Sequence, residues 1–252
     1  MKIPVPKAAL RGRWLAPLAL ALLFMAAAPA AADPVKIRQV LQERFPTLAI
    51  DEVRPSPVPG IWEVRYDGSE ILYSDAGGEH VFAGGSLIET STRADLTERR
   101  IEQVLAVPWD ALPLKDSLVY RQGKPLRRMA VFADPNCGFC KRFEREIAEL
   151  KDVTIHVFVI PILGPDSTLK SRDILCARDP ARAWREWMIE GKLPSKAAAA
   201  CRAEGMQRNL AFSRQHRING TPAVFLENGT RRAGAIPMAQ LEQLLAASTT
   251  KK

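Results

Sequence analysis

The 252-residue sequence has few residues of the kinds that bind metal ions or haem, with four cysteines and three histidines. A structural zinc site takes four such ligands, but only Cys137 and Cys140 lie close together in this chain. Haem attachment to a Cys-x-x-Cys pair needs a histidine directly after the second cysteine, and the residue there is Lys141. We therefore expect no metal site and no cofactor.

The N-terminal apolar run is too short to be a convincing transmembrane anchor. It covers residues 14–28, which is less than the roughly 20 residues that cross a bilayer, and it contains Pro17. A basic segment precedes it and Ala30-Ala31-Ala32 follows it, as is typical of a cleavable secretory signal peptide. We expect residues 1–32 to be a signal peptide cleaved near Ala32, and the mature protein to reach a compartment that permits disulfides.

The mature sequence has no strong excess of charge of one sign. The formal net charge of the whole chain is +8, and four of the positive charges lie in the expected signal peptide with no acidic residue beside them. The remaining charge of about +4 is ordinary for a soluble domain. There is no basic stripe with interleaved aromatic residues, so the sequence does not support nucleic-acid binding.

The most informative part of the chain is residues 129–150, MAVFADPNCGFCKRFEREIAEL. The pattern predicts a buried strand, a turn at residues 134–136 and an amphipathic helix. Cys137 and Cys140 therefore stand where a strand ends and a helix begins. Free backbone N–H groups and the helix dipole favour a thiolate there, and a thiolate is the attacking species in disulfide exchange. We interpret the pair as a redox-active dithiol.

A purely structural disulfide between these two cysteines is an alternative, but so short a loop constrains the unfolded chain little. Cys176 and Cys201 then remain as the natural second pair among the three pairings that four cysteines allow. Closing that longer loop stabilises a protein by roughly 3 kcal/mol in the chain-entropy model. We interpret this second pair as a structural disulfide, with free or redox-active thiols as the alternative.

Residues 33–92 have the pattern of a small helix-plus-meander module. A helix is predicted over Pro34–Phe45, and short strand-like runs follow, separated by turns such as Asp67-Gly68. A module of about sixty residues has little core of its own, and such modules often pack on a partner or a second copy. Asp95-Leu96-Thr97-Glu98 then has the pattern of a capping box. We interpret the helix that it opens as a linker within residues 93–112; a core helix of one continuous domain is the alternative.

Residues 113–252 have the element order of an α+β domain. A strand, the dithiol helix and the apolar run Val153–Pro161 predict a β–α–β unit, and Ser167–Gly205 are helical in composition. Arg217–Glu227, a hairpin turn at Asn228-Gly229-Thr230 and a final helix complete a mixed sheet. Thr221-Pro222 lies at the start of a strand, where the missing proline N–H is tolerated. The residues alone are compatible with a cis or a trans peptide bond before Pro222, and trans is the ordinary case.

Taken together, these segments resemble the DsbC/DsbG family of bacterial thiol:disulfide interchange proteins. The resemblance covers essentially the whole mature chain and is carried by FADPNCGFCKRFE, ILCARD, Cys201 and INGTPAVFLENGT. The better-known members have Gly-Tyr or Pro-Tyr between the active cysteines, whereas this chain has Gly138-Phe139. Gly138 and Thr221 favour the DsbC branch.

The resemblance implies a thioredoxin-like catalytic domain with a helical insertion, a linker helix and an N-terminal domain that forms a homodimer. It implies that Cys137 is the exposed nucleophile and Cys140 the resolving cysteine. Thr221-Pro222 would form a cis-proline loop that binds substrate backbone, and Cys176–Cys201 would be the second, structural disulfide. It also implies a periplasmic protein that isomerises or reduces wrong disulfides in misfolded exported proteins. A DsbD-like membrane thiol reductase would keep it reduced.

Three other functions are compatible with parts of the same pattern. A net oxidase of this fold is typically monomeric and has a histidine between its cysteines, where this chain has Phe139. A holdase chaperone would bind unfolded chains with the dithiol secondary. A DsbG-like sulfenic-acid reductase would use the same Cys137 and Cys140, so the sequence does not separate it from an isomerase.

Overall fold

The computed structural model describes residues 33–249, so the expected signal peptide, residues 1–32, lies outside the described residues. The chain begins with helix α1, Pro34–Arg44. The side chain of Asp33 accepts a hydrogen bond from the Val35 N–H at 2.8 Å, and Pro34 occupies the first helical position, where its missing N–H costs nothing. The helix predicted here is confirmed.

Helix α1 packs on a four-stranded antiparallel sheet in the order β1-β2-β3-β4. The strands are β1 (Ile50–Pro55), β2 (Ile61–Tyr66), β3 (Glu70–Asp75) and β4 (Val81–Ala83). The β2–β3 hairpin turns at Asp67 and Gly68, which both have positive φ, as the Asp-Gly dipeptide predicts. The core of this unit is small and consists of Ile37, Leu41, Ile50, Val64 and Leu72.

Two short paired strands, β5 (Ile88–Glu89) and β6 (Ala94–Asp95), lead into helix α2, Leu96–Leu105. Asp95 caps this helix by accepting the Glu98 N–H at 2.8 Å, as the capping box predicts. Of the residues in α2, Thr97 is the one that is buried. Arg100 donates from α2 to Glu63 at 2.8 Å and to Glu52 at 2.6 Å, which joins the helix to the first sheet.

Two 3₁₀ turns, Trp109–Ala111 and Leu114–Asp116, then enter a five-stranded mixed sheet. Its order is β11-β10-β8-β9-β7. The strands are β7 (Leu118–Gln122), β8 (Arg127–Ala133), β9 (Val153–Val159), β10 (Ala223–Leu226) and β11 (Arg231–Ala233). Strands β8 and β9 are parallel and the other pairs are antiparallel. The predicted β–α–β unit and mixed sheet are confirmed.

Helices cover both faces of this sheet. They are α3 (Gly138–Ile147), α4 (Pro165–Leu175), α5 (Pro180–Arg185) with a π-helical turn (Glu186–Glu190), α6 (Glu204–Gln215) and α7 (Met238–Thr249). Core residues of α3, α4, α5 and α7 pack on one face. On the other face, Phe132, Phe158 and Phe225 pack with the segment before β7 and with α6. The dithiol helix is thus held between the sheet and the helical insertion.

Ser167–Gly205 are helical in composition, but residues 191–203 of this range do not form a helix. The π-helical turn ends at Gly191 in the left-handed region, and the following segment is irregular. Its backbone bonds to α4 side chains instead: the Ala197 N–H donates to Asp173 at 2.8 Å and the Ala198 carbonyl accepts from Arg172 at 3.0 Å. These contacts and the disulfide at Cys201 hold the alanine-rich segment against α4 and override its helical propensity.

Candidate active site

The first cysteine of the pair caps the helix that carries the second. Strand β8 ends at Ala133, a turn follows, and Cys137 is the N-cap residue of α3. Its Sγ accepts a hydrogen bond from the Cys140 N–H at 3.3 Å, so one unpaired N–H of the first helical turn points at the sulfur. A hydrogen bond of this kind stabilises a negative charge on the acceptor. The strand–turn–helix placement predicted from the sequence is confirmed.

The two thiols differ in environment. Both are reduced in this structure, and Cys140 is 1 % exposed against 6 % for Cys137. Burial raises the pKa of the Cys140 thiol far above its ordinary value, and its hydrogen bond with Cys137 raises it further. Cys140 is therefore protonated near neutral pH, and Cys137 is the more accessible of two buried thiols rather than an exposed one.

The loop before β10 lies directly against Cys137. The Thr221–Pro222 peptide bond is cis, and the Cys137 Sγ donates to the Thr221 carbonyl at 3.4 Å. Strand β10 pairs with β8, the strand that leads to the cysteines, and this pairing brings together residues that are distant in sequence. Cys137, Cys140, Thr221 and Pro222 thus form one cluster.

A largely apolar groove of about 560 Å³ opens beside this cluster. Phe139 stands at its edge with 61 % of its surface exposed, and the Arg142 guanidinium lies 5.1 Å from the centre of the Phe139 ring. The lining residues are Phe139, Arg142, Glu146, Thr221, Pro222 and residues 234–237. The groove offers room for a polypeptide segment next to the sulfur.

The helical insertion supports the loop before Cys137 through one buried tryptophan. The Trp187 Nε1–H donates to the Pro135 carbonyl at 2.6 Å, and the Lys141 ammonium lies 3.8 Å from the centre of the same indole ring. Burial lowers the pKa of Lys141, and Lys170 and Arg145 add to this effect. Sequence analysis placed Trp187 only on an apolar helix face; it did not indicate the contact with the active-site loop.

The sequence also did not indicate that the carboxylate of Glu144, in α3, is buried. Glu144 is 2 % exposed and accepts hydrogen bonds from the Tyr120 hydroxyl at 2.6 Å and from the Trp184 indole N–H at 2.7 Å. Burial raises the pKa of Glu144 although both hydrogen bonds oppose the shift. The available signal was the position of Glu144 between Phe143 and Ile147, on the apolar face of an amphipathic helix.

The other two cysteines lie outside this cluster. A disulfide joins Cys176, at the end of α4, to Cys201 in the irregular segment, with a Cα–Cα distance of 6.2 Å. Within residues 33–249, no group of three or more His, Cys, Asp and Glu side chains is placed to hold a metal ion. In the same part of the chain, no helix is long and apolar enough to cross a membrane.

Comparison with known proteins identifies the family. A model of the thioredoxin-like domain matches residues 114–249, and a model of the disulfide bond isomerase protein N-terminal domain matches residues 26–98. A probable thiol:disulfide interchange protein DsbC of Bordetella avium is 43 % identical over 215 residues, which cover 84 % of this chain and 76 % of that protein. The chain belongs to the DsbC family.

More distant relatives agree with this assignment. The thiol:disulfide interchange protein DsbC of Escherichia coli is 28 % identical over 221 residues, covering 86 % of this chain and 89 % of that protein. The thiol:disulfide interchange protein DsbG of Pseudomonas aeruginosa is 26 % identical over 246 residues, covering 90 % and 94 %. A solved disulfide interchange protein from Neisseria gonorrhoeae superposes with a TM-score of 0.52 at 33 % identity, covering 56 % of this chain and all of that one. Members of the DsbC family are thiol–disulfide oxidoreductases, and the free dithiol at the start of α3 fits that chemistry.

Proposed function

We propose that this protein isomerises or reduces wrong disulfides in exported proteins, with Cys137 as the nucleophile and Cys140 as the resolving cysteine. One observation carries the proposal. The Cys137 sulfur lies between the Cys140 N–H and the Thr221 carbonyl, at 3.3 and 3.4 Å respectively. The first contact points an N–H of the first helical turn at the sulfur, and the second places the sulfur beside backbone that an extended client chain can pair with.

The reaction follows from thiol–disulfide exchange. The Cys137 thiolate attacks one sulfur of a client disulfide; an S–S bond forms between enzyme and client, and the other client sulfur leaves as a thiolate. In isomerisation a different client thiolate then attacks the mixed disulfide, which forms a new client disulfide and returns Cys137 with no net change in oxidation state. In reduction, Cys140 attacks the Cys137 sulfur and releases the client as a dithiol.

The buried state of Cys140 favours the first route. Its thiol must lose a proton before it can attack, and burial opposes that loss. A mixed disulfide therefore persists long enough for another client thiol to compete. Each turn of the second route oxidises the Cys137–Cys140 pair by two electrons, so a reductant is needed, and we propose a DsbD-like membrane thiol reductase.

We propose the following division of the chain: a signal peptide (1–32), a dimerisation domain (33–92), a linker helix and hinge (93–112) and a thioredoxin-like catalytic domain (113–252). The two family matches, which fall on either side of the end of α2, support this division. The small core of the first unit and the exposure of Phe82 (63 %) and Ile88 (47 %) on its short outer strands support a homodimer through this unit. The signal pattern supports a periplasmic location.

The test is the refolding of a scrambled multi-disulfide protein by reduced wild-type enzyme, Cys137→Ser and Cys140→Ser. We expect wild type to restore client activity and Cys137→Ser to give none. Cys140→Ser should retain part of the isomerase activity, because the first route does not use Cys140. The double variant Cys176→Ser/Cys201→Ser is the matched control, because it removes two sulfurs outside the cluster. Wild type that performs no better than a free-thiol buffer would exclude isomerisation.

A further inference from the structure

One wholly buried carboxylate lies at the start of the loop that joins β8 to α3, residues 134–137, which we call the dithiol loop. Asp134 follows the last residue of β8 and is 0 % exposed. The sequence marks it only as part of a turn. A carboxylate out of contact with water is costly unless each of its oxygens is hydrogen-bonded, so its partners show what it holds in place.

Both oxygens of Asp134 accept two hydrogen bonds. Oδ1 accepts from the Asn136 N–H and the Ser167 hydroxyl, each at 2.7 Å, and Oδ2 accepts from the Ile162 and Leu163 N–H groups at 2.8 and 3.0 Å. Among residues 33–249, no lysine, arginine or histidine forms an ion pair with it. Three backbone N–H groups and one hydroxyl thus satisfy both oxygens of the side chain.

These donors come from three separate elements that border the active site. Asn136 belongs to the loop that carries Cys137, and the backbone carbonyl of Asp134 also accepts the Cys137 N–H at 3.1 Å. Ile162 and Leu163 belong to the loop between β9 and α4, and Ser167 lies in the first turn of α4. Because β8 and β9 are parallel neighbours, both loops leave the same end of the sheet.

The loop after β9 turns its apolar side chains outward while its backbone is held. The exposed fractions of Ile162 and Leu163 are 37 % and 58 %, and Phe139 in the first turn of α3 is 61 % exposed. Because Asp134 bonds to this loop through its side chain and to Cys137 through its backbone carbonyl, these exposed apolar residues are linked to the reactive sulfur through one residue, and they are suited to contact the apolar segments that a misfolded client exposes. We call Ile162 and Leu163 the apolar rim.

We propose that Asp134 is a positioning residue that fixes the apolar rim relative to Cys137, so that a client segment bound on the rim presents its disulfide to the sulfur. The proposal rests on the proposed function of Cys137. Binding a client on the rim helps the reaction only while the distance from rim to thiol is constant, and one carboxylate that accepts bonds from both loops keeps it constant. The predicted signature is that loss of Asp134 weakens the reaction with protein clients more than the reaction with small disulfides.

Two substitutions of Asp134 distinguish the effect of its bond to the dithiol loop from the effect of its bonds to the loop after β9. In Asp134→Asn the side-chain oxygen can still accept from Ile162 and Leu163, and the amide can donate to the Ser167 hydroxyl, so only the Asn136 bond is lost. In Asp134→Ser all four bonds are lost at their present geometry. Ser167→Ala is the matched control, because it removes one donor from the same carboxylate and leaves both loops attached.

The experiment measures kcat and KM for each variant with two substrates, a scrambled multi-disulfide protein and a small aromatic disulfide whose thiolate product absorbs visible light. With the small disulfide the pre-reduced enzyme is followed through a single turnover, because that reaction oxidises the dithiol, and the maximal rate and the half-saturating concentration stand for kcat and KM. We expect Asp134→Asn to lower kcat for both substrates by a similar factor with KM unchanged. For Asp134→Ser we expect an additional rise in KM for the protein alone, with a total loss of kcat/KM of up to about 100-fold, the size of effect that misplacement by an ångström can have. Ser167→Ala should stay within a few-fold of wild type.

Equal losses on both substrates in Asp134→Ser, or an unchanged KM for the protein, would overturn the proposal. If Asp134→Ser does not fold, the double variant Ile162→Ser/Leu163→Ser is tested in its place. This variant should raise KM for the protein and leave the reaction with the small disulfide unaffected. An unchanged KM for the protein would again overturn the proposal. Failure of the proposed function is distinguishable, because it appears in the wild-type enzyme as absence of isomerase activity.

Discussion

Replacing Glu144 by leucine should cost far more stability than replacing it by glutamine. Leucine leaves the Tyr120 hydroxyl and the Trp184 indole N–H without an acceptor inside the core, where both bonds are short, 2.6 and 2.7 Å. A buried polar group left unpaired costs about 1–3 kcal/mol, so the two together cost about 2–6 kcal/mol. Glutamine accepts from Trp184 with its oxygen and can donate its amide to the Tyr120 oxygen, so it can keep both bonds.

The pH dependence gives a second, independent expectation for Glu144. Burial raises its pKa in the folded protein above the ordinary 4.5, and the nearby Arg185 and the two hydrogen bonds only partly offset this. The folded state therefore holds the proton more tightly than the unfolded state. The contribution of this group to the free energy of unfolding has its largest value below about pH 4.5. It falls as the pH rises through the folded-state pKa, with a limiting slope of about 1.4 kcal/mol per pH unit.

The assay is urea unfolding of wild type, Glu144→Gln and Glu144→Leu between pH 4.5 and pH 8, followed by tryptophan fluorescence. The wild-type curve should contain the falling component, and both variants should lack it. Glu149→Gln, an exposed change at the end of the same helical segment, should stay within about 0.5 kcal/mol of wild type at every pH. Equal costs for glutamine and leucine, or a pH slope that persists in Glu144→Gln, would refute the account of the buried carboxylate.

Three further outcomes follow from contacts elsewhere in the chain. Removing the Cys176–Cys201 disulfide by double serine substitution should lower the free energy of unfolding by roughly 3 kcal/mol, measured in denaturant, while the rate at which Cys137 reacts with iodoacetamide stays unchanged. Trp187→Phe removes the indole donor to the loop before Cys137 and should cost about 1 kcal/mol; unlike the disulfide variant, it should change that alkylation rate. Burial lowers the pKa of His156 below its ordinary 6.5, so its contribution to stability is fully present above pH 6.5 and is lost as the pH falls from there through the lower folded-state pKa. NMR titration of the ring should place its midpoint below 6.5, and a midpoint above 6.5 would contradict the assigned burial.

Local signals in the sequence were sufficient wherever the structure is decided by neighbouring residues. The Asp95 cap, the Asp67-Gly68 turn and the strand–turn–helix around Cys137 are of this kind, because their hydrogen bonds lie within a few residues of one another. The resemblance identified the family from the same segments. The geometry of the cluster was not available in this way, since Thr221 reaches Cys137 only through the pairing of β10 with β8.

The helix that does not form and the contacts that the sequence does not predict share one physical cause. Residues 191–203 have helical composition, but Asp173 and Arg172 of α4 take up their backbone groups. Asp134 has the composition of an ordinary turn, and its role depends on donors about thirty residues further along the chain. Propensity describes a residue against its neighbours in sequence, so it does not detect a polar group whose partners come from another element.

The two buried carboxylates, Asp134 and Glu144, fix the position of the helix that carries the dithiol. A buried carboxylate and its partners together add little stability compared with apolar residues packed in all of their places, but their hydrogen bonds are satisfied in only one arrangement of the surrounding elements. Asp134 fixes the loops at the start of α3, and Glu144 fixes the same helix one turn beyond Cys140 against β7 and α5. The apolar side chains at the surface, Phe139 and the rim, have no such directional partner and can adapt to different sequences. Buried polar contacts therefore fix the geometry of the thiol, and exposed apolar side chains provide contacts that can adapt to the sequence of the bound chain. The proposed action on misfolded chains requires both.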